Sequence, residues 1–234
     1  MINGLRVLAV VPARGGSKGL KNKNIRPLLG VPLVAHTGRL IKKLSFIDRA
    51  VVSTQDLKIA RAAQKSGLAA PFMRPATLSG PRVADMPVLK HALLEMERRD
   101  GVRYGIVVML QPTSPLRRPS HVADCVKKLV KEKLDAVWTV SPTDLKFHPL
   151  KQLVVDQRGR MGYFDSRGLR IIARQQLSPI YHRNGAAYAF SRACVLKQKS
   201  VMGRKTGAVI IAEPMISIDT LHDLKKAAAV LRSR

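Results

Sequence analysis

The chain has 234 residues, 46% of them hydrophobic, enough for one full core, and carries a formal charge of +27 from 42 Lys and Arg against 15 Asp and Glu. No apolar run approaches the roughly 18 residues of a membrane-spanning helix, and two cysteines without neighbouring Cys or His, Cys125 and Cys194, argue against a disulfide framework or a metal cage and for small core residues. The charge predicts anionic ligands, yet it is spread along the chain, with few aromatic stacking platforms and no helix-turn-helix, zinc-finger or RNP pattern, so a small anionic molecule is expected and specific nucleic-acid recognition is not.

Met1 to Leu5 lacks the charged-then-apolar layout of a signal peptide, which makes the cytoplasm the expected compartment. Leu5–Val11 (LRVLAVV) reads as a buried strand and Leu33 to Leu44 as the first helix by its apolar spacing. Ala50–Ser53 is a short strand, Leu57 to Lys65 a helix, and Ala69–Met73 a third strand ending at Arg74-Pro75. Met86 to Arg98 is a helix with one buried face. Ile106–Leu110 (IVVML) is the most apolar strand and belongs at the sheet centre, covered on both faces. A helix runs from Ser120, its N-cap, to Lys131, followed by a strand at Ala136–Val140. From Phe147 to about Ile180 the texture turns patchy and polar, with Gly159, Gly162 and Gly168 as turn signals. Val154-Val155 and Ile171-Ile172 suggest small antiparallel strands there, so 147–180 reads as an excursion and a candidate dimer arm within one domain spanning 1–234. Ala186–Phe190 and Ala208–Ala212 return as strands. Leu221 to Leu231 closes the chain as a helix with Thr220 as N-cap and Asp223 in its first turn. The alternation of strands and helices is that of an α/β fold.

The stretch around which this order is built is Val11 to Pro27, VPARGGSKGLKNKNIRP. It follows the first strand directly, carries Gly15, Gly16 and Gly19, and gathers Arg14, Lys18, Lys21 and Lys23 without one carboxylate. A flexible, amide-rich, cationic loop at a strand end suits phosphate. It is neither a Walker loop nor a dinucleotide fingerprint, and a plain basic turn is the simpler alternative. Gln111 to Arg117, QPTSPLR, follows the central strand. Gln111, Thr113 and Ser114 offer hydrogen bonds there, and an amide with an arginine is what a carboxylated sugar needs; a rigid polar turn is the alternative. Arg174 to Gly185, RQQLSPIYHRNG, is dense in donors and leads into a strand, either as ligand contacts or as a solvated loop. Among the few acids, Asp219 in ISIDT is the best candidate to hold Mg²⁺ beside substrate phosphates, with anchoring of the last helix as its rival role. His36 and His91 read as ordinary helix residues, and His148 is left open.

In this order, ARGGSKGLKNKN, RPATLS, QPTSPLR, FHPLK, RQQL with the later NGAAY, and SIDT resemble the acylneuraminate cytidylyltransferases, including relatives that act on other nine-carbon keto-acid sugars. The likeness runs from about Val7 to the last helix. It implies a Rossmann-like α/β nucleotidyltransferase sandwich with a mostly parallel sheet, and a homodimer whose arm reaches into the partner's site. It implies transfer of CMP from CTP to an acidic nine-carbon sugar, with pyrophosphate released and Mg²⁺ required. On that resemblance Ala13, Arg14, Gly15, Ser17, Lys23 and Asn24 fall at the triphosphate, and Arg74 with the backbone around Ser79 in the cytosine pocket. Gln111 falls at the sugar, and Arg174, Gln176 and Asn184 in the sugar-side and arm motif. Asp219 falls on a metal-binding carboxylate, and Arg14, Lys23 and Asp219 are the residues expected to carry the chemistry. The sequence also departs from the family pattern. The first aspartate of the Asp-x-Asp pair is Ser217, Ser-Thr-Asp reads Ser53-Thr54-Gln55, and Ser-Asp reads Gly80-Pro81 followed by Arg82. His182 with Arg183 replaces an arginine before the Asn-Gly pair, and Ile171 replaces a glutamate. Two alternatives stay open: a nucleotidyltransferase for another sugar or base, and an inactive basic relative that only binds nucleotide or nucleic acid.

Overall fold

The computed structural model describes residues 1–17, 19–198 and 200–233; Lys18, one of the loop cations, lies outside them. Strand β1 (Val7–Pro12) is wholly apolar until its last residue and almost entirely buried. After it come a two-residue hairpin, β2 (Pro27–Leu28) and β3 (Val31–Pro32), then α1 (Leu33–Ile41), β4 (Arg49–Ser53) and α2 (Leu57–Lys65). The chain continues with α3 (Asp85–Asp100), β5 (Ile106–Met109), α4 (Pro119–Lys131) and β6 (Ala136–Pro142). A second hairpin, β7 (Leu153–Val155) and β8 (Met161–Tyr163), precedes β9 (Tyr181–Ser191), β10 (Thr206–Ile210) and α5 (Leu221–Arg232).

Six strands form one sheet in the order β10-β6-β9-β5-β1-β4. All neighbours are parallel except β9, which runs against both β5 and β6. The sheet is therefore mostly parallel, as expected, and β5 is interior with all four residues buried. The period of two along β1 sorts its side chains between two cores. Val7, Ala9 and Val11 pack on the face covered by α1, α2 and α4, with Val34, Ile59 and Val126. Leu8 and Val10 pack on the α3 face with Leu89, Leu93 and Met96. A third, smaller cluster joins Leu20, Leu28 and Leu33 to Ile218 and Ala227, and so docks α5 and the segment before it onto the hairpin beside the first loop. Cys125 and Cys194 are free and buried, as the sequence suggested. No helix of the described residues is long and apolar enough to cross a membrane.

Several expectations shift. Ala69–Met73 forms no strand: Ala69 makes a single parallel bridge to Val51, and Pro71, which lacks an N–H, ends the ladder. The helix expected from Ser120 starts at Pro119 with Arg118 as N-cap, because proline's fixed φ suits the first helical position. Val154-Val155 lies in a strand, but Ile171-Ile172 does not. Ile171 N–H closes a turn onto the Gly168 carbonyl, and the Ile172 and Ala173 amides both donate to Gln176 Oε1 at 2.8 Å. The final helix has the predicted cap: Thr220 Oγ1 accepts from Asp223 N–H at 3.2 Å while Asp223 Oδ2 accepts from Thr220 N–H at 2.8 Å. Thr220→Ala should cost about 1 kcal/mol in chemical denaturation, and an unchanged midpoint would show that packing alone holds α5.

Candidate active site

The carboxyl ends of β1 and β5 open onto a cleft of about 530 Å³. Five of the loop-and-strand-end residues singled out in the sequence, Arg14, Ser17, Lys23, Asn24 and Gln111, line it together with Arg74 and Asp219. Each is held by a local device. Asn24, buried, donates from Nδ2 to the Arg14 carbonyl at 2.9 Å and so folds the loop back on itself. Arg14 Nη1 donates to the Gly16 carbonyl at 3.0 Å. Gly16 sits at φ +66°, where a side chain would be strained. Ala13 is buried behind the loop, its N–H donating to the Ser53 carbonyl at 3.0 Å. Gly15 N–H donates to Gln55 Oε1 at 3.3 Å, so Gln55 is a neutral prop for the loop.

Asp219 reaches the cleft because its segment is pinned from two sides. Ile218 is buried in the α5 cluster, and its N–H donates to the Thr113 carbonyl at 2.8 Å. The backbone of Asp219 lies so close to Gly19 that an added Cβ would stand 3.0 Å from the Asp219 carbonyl oxygen. The carboxylate is ion-paired with Lys23, Nζ to Oδ1 2.8 Å. No cluster of three or more acidic, His or Cys side chains fit for a metal occurs among the described residues. Asp219, with Ser217 also lining the cleft, fits an ion that takes one carboxylate and completes its shell with phosphate oxygens and water, the habit of Mg²⁺.

Buried cationic groups lie at and behind the cleft lining. Arg74 is buried, donating from Nε to Ser53 Oγ at 3.0 Å and from Nη2 to the Ser53 carbonyl. Burial lowers its pKa to about 10, against the pull of Asp85. Arg117 is also buried, its Nη2 donating to the Gln111 carbonyl, and burial pushes it down to about 9. A cation beneath Gln111 thus fixes the backbone from which that amide projects.

Besides Ala13 and Gly15, which do not line the cleft, four expected contacts lie elsewhere. Asn184 does not line the cleft. It sits inside the sheet where β6 and β9 slip register between Trp138 and Val140. There its Oδ1 accepts from Thr139 Oγ1 at 2.7 Å and from Ala186 N–H at 3.1 Å, and its Nδ2 donates to Ser141 Oγ at 3.0 Å. It satisfies the bulge, and the bulge pushes Gly185 (φ +72°) against the loop after β5. A Cβ on Gly185 would stand 2.7 Å from Ser114 Oγ and 3.2 Å from Gln111 Oε1. Arg174 and Gln176 lie in the excursion: Arg174 is exposed, 3.7 Å from Asp144, and Gln176 caps its own turn. Ser79 Oγ donates to the Pro75 carbonyl at 2.9 Å and faces a neighbouring groove shared with Gly15. The ionisable cleft residue that escaped the sequence reading is Asp85, in the first turn of α3. Its only sequence signal was the scarcity of acids, 15 in the chain.

A wound parallel sheet with a cationic, glycine-bearing loop at the end of its first strand defines a nucleotide-handling α/β domain. The chain belongs to the cytidylyltransferase family, whose model matches residues 8–230, and it is an enzyme of the nucleotidyltransferase type. It is 32% identical to a CMP-N,N'-diacetyllegionaminic acid synthase of Legionella pneumophila, over 92% of this chain and 90% of that one. It is 28% identical to post-translational flagellin modification protein B of Campylobacter coli, over 97% and 96% of the two chains. Among solved structures it superposes on a CMP:2-keto-3-deoxy-manno-octonic acid synthetase complexed with CTP with a TM-score of 0.71 at 20% identity, covering 97% of this chain and 99% of the other.

Proposed function

We propose that the protein transfers CMP from CTP to the anomeric hydroxyl of a nonulosonate, a sialic-acid-like 2-keto acid sugar, with release of pyrophosphate. The observation that carries the reading is the meeting of Arg14, Lys23, Gln111 and Asp219 in one cleft. The sugar oxygen attacks the α-phosphorus, the bond to the β-phosphate breaks, pyrophosphate leaves and the hydroxyl proton passes to solvent. The loop amides with Arg14 and Lys23 hold the β- and γ-phosphates and neutralise charge that builds on the leaving group. Gln111, fixed from below by Arg117, orients the sugar. Asp219 would hold Mg²⁺, which would supply neutralisation of the phosphates and a lower pKa for the attacking hydroxyl. We propose the cytoplasm as its compartment, where CTP is available.

We further propose a homodimer built on the excursion. Leu153, Val155, Met161, Phe164, Leu169 and Ile172 are all exposed there, Ile172 at 94%, and an apolar patch of this kind marks a contact surface. The partner's arm would bring Arg174 to the sugar end of the cleft. Leu169→Glu with Ile172→Glu should give a monomer by light scattering and lose turnover, whereas a dimer that survives both changes assembles through another face.

The test of function is pyrophosphate release from each nucleoside triphosphate with a panel of nonulosonates. Release with CTP and one of these sugars is expected. No release from any pair, with steeply salt-dependent binding to DNA or RNA, would instead identify a basic binding relative.

A further inference from the structure

Asp85 is a carboxylate in a cleft otherwise organised for anions. Its side chain faces the same space as Arg14 and Lys23, yet no hydrogen bond or ion pair to a described residue engages it. Burial raises its pKa, while Arg183 and Arg74 pull it back. A carboxylate at that place disfavours a triphosphate or a sugar carboxylate as its direct neighbour, with Arg183 and Arg74 offsetting part of its charge. The same cleft is lined by the apolar side chains of Leu78, Val83 and Val88 and by the Arg74 guanidinium. An apolar slot with one acceptor and one donor suits the remaining part of the substrates, a planar heterocycle.

We infer that Asp85 is a specificity-determining residue that selects cytosine over uracil by accepting a hydrogen bond from the exocyclic N4 amino group. The inference rests on the CTP reading proposed above. Cytosine presents a donor at N4, whereas uracil presents an acceptor at O4 and would set two oxygens face to face. The Arg74 guanidinium, held from Ser53, supplies the matching donor for the base's ring acceptors. The loop after Arg74 and the first turn of α3 thereby form one base-reading edge, while the phosphates lie at the other end of the cleft.

The experiment is calorimetric binding of CTP and of UTP, with Mg²⁺ and without sugar, to wild type, Asp85→Asn and Asp85→Ala. Asn is nearly isosteric with Asp at this half-buried helix start, and a melting curve for each variant checks that it is folded. Wild type is expected to favour CTP by at least about tenfold, the usual discrimination of one well-placed polar contact. Asp85→Asn, whose amide donates to O4 as readily as it accepts from N4, should shrink that ratio to near one. Asp85→Ala should weaken CTP without strengthening UTP. A ratio unchanged in Asp85→Asn overturns the inference. So does an equal gain for both nucleotides, which would show a carboxylate acting only by charge on the phosphates. Failure of wild type to bind either nucleotide would overturn the CTP reading itself, and with it this assignment.

Discussion

Replacing Asp219 by Asn, or Lys23 by Ala, should lower kcat/KM by at least about a hundredfold, the scale of one lost transition-state charge contact. The two side chains form an ion pair in the resting cleft, but the Asp219 side chain is 68% exposed. A pair in that setting is worth at most about 1 kcal/mol to the fold. The melting temperature should therefore stay close to that of wild type in both variants while turnover collapses. A parallel loss of stability would assign the pair to holding α5 against the loop instead. Near-normal turnover in either variant would remove that residue from the chemistry. Initial rates of pyrophosphate release, with thermal melts of the same preparations, decide between these outcomes.

Gly185→Val should be the most damaging change outside the cleft. At φ +72° a β-branched side chain is strained by about 1–3 kcal/mol. The new Cβ would also stand 2.7 Å from Ser114 Oγ, and relieving such overpacking costs about as much again. Urea denaturation should show the combined loss. Gly185→Ala, a milder form of the same insult, should remain folded yet lose activity tenfold or more, because the crowded neighbours are Ser114 and Gln111 and small misplacements at a reacting centre are expensive. Wild-type turnover in Gly185→Ala would show that the loop after β5 has slack.

The sequence and the structure agree best where a short run carries its own reasons. Leu57 to Lys65 begins and ends as read, since Asp56 accepts from Lys58 N–H at 2.8 Å and the apolar spacing lies on one face. The capped start of α5 is equally local. The first loop could be read because its cations and glycines are contiguous. Where meaning came from distant chain, the sequence misled. Asn184 stood in a donor-rich stretch and suggested a ligand contact, and Gly185 beside it drew no reading of its own. Their roles depend on a register slip against β6 that no local pattern announces. Arg174 and Gln176 share that stretch and lie in the excursion where the sequence reading put them, outside the cleft of their own chain. Asp85 acquires interest only because Arg74 and Arg183, from other parts of the chain, fold around it. Resemblance to a family supplied the order of the motifs, and tertiary contacts decided which of them meet.

The reversed direction of β9 has a consequence for how the molecule communicates with itself. A strand parallel to its neighbours would enter the sheet at the far rim and deliver its last residues to the substrates. Running the other way, β9 enters at Tyr181, beside Pro142 at the end of β6, and delivers its first residues there. The covalent path from the protruding excursion to the glycine under Gln111 is therefore only a few residues long, and none of it crosses the core. Whatever grips the excursion pulls on the catalytic rim directly, and the interior need not be disturbed for the signal to arrive.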